Sequence, residues 1–135
     1  MNIPLATPVT LKAAGAETVS TTGLPVSGWM NVFTQPTGFL LVTVAISAVT
    51  GTPTLLVVLE GFSGAAWTEL ATFGVDGMRS WGNGTLPAPF TTTGSMSQLM
   101  AFYGPSLRYR SIIGGGTPSL AYSVTAQYCA NPNPA

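Results

Sequence analysis

The sequence contains no histidine and only one cysteine, Cys129, among its 135 residues. Zinc sites draw their ligands mainly from groups of histidines and cysteines, so no metal site is expected. A single thiol cannot form a disulfide within the chain. Histidine is the commonest general base in enzymes, so its absence removes the usual partner of a catalytic serine. Lys12 is the only lysine that could activate a serine in its place. We therefore predict neither an enzyme activity nor a cofactor.

Charged residues are also few. Four Lys/Arg and four Asp/Glu residues give a net charge of zero and make up only 6% of the chain, whereas a soluble domain typically has roughly 25%. Four scattered cations cannot neutralise a run of phosphates, so nucleic acid is not an expected partner. A net charge near zero leaves little repulsion between copies and favours association with other proteins.

Long hydrophobic runs are missing as well. The longest apolar stretches, at 39–49 and 55–59, fall short of the roughly 20 residues that a membrane helix needs. Residues 1–8 have no basic start followed by an apolar run, which is what a secretory leader requires. We expect no membrane segment and no leader.

What the sequence does have is apolar residues at every second position. Leu40, Val42, Val44 and Ile46 alternate with more polar positions and predict a strand over 39–49. The Thr-Gly-Thr-Pro run at 50–53 predicts a turn, which makes 54–60 the second strand of a hairpin. Further strands are predicted at 67–73, 78–81, 97–103, 107–113 and 119–128, with weaker ones at 9–12 and 29–33.

This pattern predicts an all-β protein, either an antiparallel β-sandwich or a jelly-roll-like barrel, with extended terminal tails. No helical spacing of apolar residues is present, and 16 glycines and 11 prolines divide the strands. We expect one domain. It comprises a weakly patterned arm with the first strands at 1–38, a β-sandwich body at 39–128 and a tail at 129–135.

Two glutamates are the best candidates for catalysis. Glu60 and Glu69 flank the predicted turn at 61–66 and could face each other as a glycosidase pair does. Such enzymes surround their carboxylates with polar groups that bind sugar, and this chain has few of them. An ordinary role at a solvated surface or a strand edge is therefore favoured for both glutamates.

Aromatic, methionine and arginine residues favour protein interfaces. In this sequence they cluster at 29–30, at 78–81 and at 108–110. Trp67 shares a predicted strand face with Phe73 and is assigned to the core. The two arginines of 107–113 alternate onto one face, where they either pair with Glu60 or Glu69 or dock on an acidic partner surface. Exposed tryptophans also leave a carbohydrate-binding module as an alternative. The candidate interface residues are Trp29, Met30, Met78, Arg79, Trp81, Arg108 and Arg110.

Several segments are similar to known proteins. The runs TLLVVLE at 54–60, WTELATF at 67–73, LRYR at 107–110 and GGGTPSL at 114–120 occur in this order. With them, 39–128 resembles small β-rich virion proteins of tailed bacteriophages, among them capsid decoration (cement) proteins and some tail components. The resemblance implies a structural protein on the outer face of a capsid, bound to the major capsid protein and forming homo-oligomers, with a trimer favoured. A tail, neck or fibre component is the alternative within this class.

Overall fold

A computed structural model describes residues 8–26, 37–62, 64–103 and 106–129 of the chain. The predicted strand at 29–33 and the ends of both predicted tails lie outside these residues. Trp29 and Met30, two of the candidate interface residues, also lie outside them. The predictions made for these two side chains therefore stay predictions.

Six antiparallel strands form the fold, and the described residues include no helix, so none that could cross a membrane. The all-β prediction is confirmed. The strands belong to one sheet that is not closed into a barrel, and its bending gives a sandwich-like form. The strands are β1 (Val9–Glu17), β2 (Thr37–Phe62), β3 (Trp67–Gly74), β4 (Gly77–Ser80), β5 (Gly94–Tyr103) and β6 (Leu107–Cys129).

Two long strands organise the sheet. β2 has 26 residues and β6 has 23, and they pair with each other from Phe39↔Cys129 to Gly61↔Leu107. The first part of β2 also pairs with β5, and the last part of β6 pairs with β1; these four segments are called the β5 half. The rest of β2 pairs with β3, which pairs with β4; with the start of β6 they form the β3 half.

The predicted hairpin at 39–60 is wrong, because 50–53 continues β2 instead of reversing it. The prediction of two separate strands on either side of 114–118 is wrong for the same reason. Each Gly-containing segment bends its strand, and the two bends lie opposite each other, with Pro53 paired to Gly115. Gly51 (φ 77°) and Gly115 (φ 96°) have the positive φ that this bend uses.

Each bend also reverses which residues face inward. Register shifts at Ile46/Ala48 and at Thr50/Thr52 place one extra residue first on β2 and then on β6. An extra residue turns the alternation by one position. The side chains of β2 that join the hydrophobic core therefore change from even positions (Leu40 to Ile46) to odd positions (Leu55 to Leu59), and both halves of the sheet contribute to this one core.

A third register shift, between Leu59 and Glu60, separates residues that the sequence placed together. Trp67, Glu69, Ala71 and Phe73 were expected on one face. Ala71 and Phe73 are in the core, whereas Trp67 and Glu69 lie on the outer face of the β3 half. The assignment of Trp67 to the core is therefore wrong, and the bulge at Leu70 is the reason.

Candidate functional site

The outer face of the β3 half carries five of the eight charged residues of the chain. Glu60 is at its centre and is only 8% exposed. Its carboxylate accepts a hydrogen bond of 2.8 Å from Nε of Arg108 and one of 3.3 Å from Nε of Arg110. Of the two roles that the sequence left open for these arginines, the structure shows the ion pair with Glu60.

Glu69 lies directly opposite Glu60 on β3, as the sequence suggested, and it has an arginine of its own. Arg79 donates from Nη2 and Nε to the two carboxylate oxygens at 2.7 and 3.1 Å. Burial raises the pKa of Glu69, but the hydrogen bonds and the charge of Arg79 outweigh it, so the pKa is lowered. A glycosidase acid needs a raised pKa, so this geometry does not favour that role.

Arg108 is also held by an aromatic ring. Its guanidinium lies 4.3 Å from the ring centre of Trp67, in a cation–π contact, and Trp67 packs against Phe62 with ring centres 5.2 Å apart. The tryptophan that the sequence placed in the core thus fixes an arginine on the surface. Arg79, Arg108 and Arg110 come together on this face, and each contacts a carboxylate.

The remaining candidate interface residues do not join the three arginines. Met78 packs against the core from the opposite face of β4, next to Arg79 in the sequence. Trp81 follows β4 with a positive φ of 58°, and its backbone N–H donates to the carbonyl of Leu70 at 2.8 Å. Trp81 is 42% exposed, so it remains a candidate contact residue beside the three arginines.

Two charged residues that were not among the candidate interface residues, Lys12 and Glu17, are turned inward on β1. Lys12 is 8% exposed, and its Nζ donates to the carbonyls of Gly15 and Tyr122, both at 2.8 Å. The ammonium group also lies 4.2 Å from the ring centre of Tyr122. Burial lowers the pKa of Lys12, and the nearby charge of Glu17 opposes that change in part.

Glu17 is the acceptor for three hydroxyl groups of β6. Tyr109 and Tyr122 each donate at 2.6 Å, and Ser111 donates at 2.8 Å. Burial raises the pKa of both tyrosines, and the bond to the Glu17 carboxylate raises it further. These hydrogen bonds hold the Glu17 carboxylate against three residues of β6 that are themselves buried.

This distribution leaves the outer face of the β5 half without charge. The eighth charged residue, Asp76, lies in the turn between β3 and β4 and accepts from the backbone N–H of Ala88 at 3.0 Å. Thr43 and Ser97 share a hydrogen bond of 2.8 Å across the face. We call it the charge-free face; its outward residues include Thr10, Leu41, Thr43, Ala45, Ser95, Ser97, Leu99, Ala101, Ser123, Thr125 and Gln127.

The size of the charge-free face suits a protein contact. Four strands at their usual spacing span about 19 Å, and ten residues of strand extend about 33 Å. The product, about 600 Å², approaches the roughly 800 Å² that each partner buries in an ordinary protein interface.

In the described ranges, no three His, Cys, Asp or Glu side chains come together as metal ligands would.

Comparisons with family models, curated proteins and solved structures found no significant match to this chain.

Proposed function

We propose that this protein is a structural component of a virion, namely a capsid decoration protein. It binds neighbouring subunits of the major capsid protein on the outer face of the shell and associates with copies of itself. The charge-free face is the observation that carries the proposal. The virion setting comes from the sequence resemblance of 39–128 to small phage proteins.

The chemistry of this face suits permanent cover by a neighbour. Desolvating a charge costs several kcal/mol unless a partner compensates it closely, and here no outward side chain carries one. Threonine and serine hydroxyls can exchange water for hydrogen bonds to a partner at little net cost. Leu41 and Leu99 add apolar area beside them. The charged residues lie on the opposite half, turned inward or in a turn, so a subunit on this face meets none of them.

A single charge placed at the middle of this face tests the proposal. Thr125 lies on β6 between Thr43 and Thr10, so Thr125→Lys puts an ammonium group in the centre of the proposed contact. Thr85→Lys, in the exposed segment after β4, makes the same change of charge elsewhere. We expect wild type and Thr85→Lys to coat capsid shells equally, and Thr125→Lys to bind at least tenfold more weakly in co-sedimentation.

Electron microscopy of the coated particles places the protein. A decoration protein gives protrusions over the whole shell. Density confined to the tail, neck or fibres would replace the proposal by the other virion role. Glycan binding that is lost in Trp81→Ala would replace it by a carbohydrate-binding module. Equal shell binding by wild type and Thr125→Lys would show that the charge-free face is not the contact.

A further inference from the structure

β5 is the most regular edge of the sheet. All ten of its residues pair in sequence with β2, from Gly94↔Ile46 to Tyr103↔Thr37, without a register shift. Its sequence, GSMSQLMAFY, contains no charged residue and no proline. Among the described residues β5 pairs only with β2, so its second edge is directed away from the sheet. Such an edge is a template for pairing with another strand.

The other edges are protected against pairing. β1 has two register shifts and turns the charged Lys12 inward. Residues 22–26 lie beside the start of β6 and pair with it at two isolated positions, Thr22 with Arg110 and Val26 with Leu107. Pro25 lies between these two positions. β4 has four residues, one of them Arg79. Bulges, inward charges, prolines and short length are the usual devices that blunt an edge, and β5 has none of them.

We propose that the free edge of β5 pairs antiparallel with β5 of a second copy of this chain, around a two-fold axis at Leu99. The contact does not rest on the virion setting. In a two-fold contact every charge near the axis would face its own copy, and an edge without charge avoids this repulsion. The pairing joins two sheets into one and extends the charge-free face across both copies.

The position of the axis follows from the alternation of side chains. Residues directly opposite in an antiparallel pair point to the same face, so the copies keep their outer faces continuous only if odd positions meet odd positions. An axis at Leu99 meets this condition near the middle of β5. It places the two Leu99 side chains, each 51% exposed, against each other, and it sets Ser97 opposite Ala101 of the second copy.

A terminal segment of a neighbouring copy is a poorer occupant of this edge. Residues 1–8 contain Pro4 and Pro8, and 130–135 contain Pro132 and Pro134. Proline has no N–H to donate to a strand ladder, and it restricts the residue before it. In β5 every second backbone N–H, about half of the ten, points to the free edge, and no proline interrupts the strand, so a second β5 makes the longer ladder.

Disulfide trapping tests the axis directly. In a Cys129→Ser background, Leu99→Cys brings two thiols to opposite positions, where Cα atoms are about 4.5–5.5 Å apart and a disulfide can form. Ser97→Cys changes the same face of the same strand, but its two copies are about 14 Å apart in this register. Under mild oxidation we expect a covalent dimer for Leu99→Cys at least tenfold in excess of that for Ser97→Cys. Equal yields would overturn the register.

Sedimentation velocity tests the contact without a crosslink. Leu99→Lys places two ammonium groups against each other at the axis, and we expect the dimer dissociation constant to rise at least tenfold. Leu41→Lys changes the opposite residue of β2, where the two introduced charges are three strand spacings or about 14 Å apart, beyond the Debye length of about 8 Å at physiological salt. We expect this control to dimerise almost as wild type does.

Hydrogen exchange distinguishes pairing with a second copy from covering of the β5 edge by another segment of the same chain. We expect the amides of 94–103 that face the free edge to become protected as the concentration rises from micromolar to millimolar. Protection that is equal at all concentrations would mean that another segment of the same chain covers the edge, and it would overturn the proposal. A trimer without any dimer would overturn it too.

A negative result for the β5 contact leaves shell binding intact, whereas Thr125→Lys affects only the proposed function.

Discussion

Tyr122 donates a hydrogen bond of 2.6 Å to the carboxylate of Glu17, and so joins the middle of the last β6 segment to the end of β1. The tyrosine is fully buried and belongs to the hydrophobic core. Tyr109 and Ser111 donate to the same carboxylate from the other part of β6, beyond its bend. One side chain therefore ties both halves of the sheet to the first strand.

We predict that Tyr122→Phe lowers the free energy of unfolding by about 2 kcal/mol. The ring still fills its space, but a hydrogen bond to a charged group is lost, and such bonds contribute about 1.5–3 kcal/mol. Urea denaturation followed by tryptophan fluorescence measures the change. Thr43→Val removes the exposed bond to Ser97 and serves as control, with an expected loss below about 0.5 kcal/mol. Equal losses would show that the Glu17 network adds no particular stability.

We predict that stability falls as the pH rises above about 10. The pKa of Tyr109 and of Tyr122 is raised above the ordinary value of 10.0 by burial and by Glu17. Above that pH the unfolded chain releases protons that the folded chain keeps, so the unfolded state is favoured. Lys12, whose pKa is lowered, acts in the opposite sense and is present in all variants.

Comparison with Tyr122→Phe isolates this effect. The variant has lost one of the two shifted phenols, so its stability declines less steeply from pH 9 to 11 than that of wild type. Urea midpoints at each pH give the slopes. Tyrosinate absorbance of the folded protein provides a second measurement, and early ionisation of all four tyrosines without unfolding would contradict the prediction.

How far the sequence predicts this fold is visible at the two bends. Alternation correctly placed Leu40 to Ile46 and Leu120 to Tyr128 on buried faces. It could not decide whether 50–53 and 114–118 reverse the chain, because glycine and proline suit a hairpin turn and a bulged bend equally well. The answer depends on long-range pairing, since each segment bends against the other.

The same limit applies to the site. The shared face of Arg108 and Arg110 followed from a period of two, and the opposition of Glu60 and Glu69 followed from their places on either side of the predicted turn; both are confirmed. The Glu17 network did not follow, since its donors are 92 to 105 positions away and lie on a strand whose pairing was unknown. The interface role of the arginines stays a prediction.

We predict that Glu60 stabilises the β3 half more than Arg110 does. Glu60→Gln leaves two guanidinium groups without their shared charge, and we expect a loss of about 1–3 kcal/mol. Arg110→Gln removes only the longer bond of 3.3 Å, from a side chain that is 37% exposed, and such pairs contribute about 1 kcal/mol or less. Urea denaturation of both variants measures the difference, and a larger loss in Arg110→Gln would contradict this arrangement.

We predict that the two bends tolerate no side chain at their central glycines. A Cβ at Gly51 would clash with the carbonyl oxygen of Thr117, and one at Gly115 with that of Thr52. Both positions also have positive φ, so alanine is strained there before any clash is counted.

Gly64→Ala is the matched control, because φ is 98° but no atom lies within 4 Å of the new Cβ. We expect a loss of about 1–2 kcal/mol for the control from the backbone strain alone. The two bend variants should lose clearly more, about 3 kcal/mol or above, measured by urea denaturation. Equal losses at all three positions would mean that β2 and β6 do not approach each other closely at the bend.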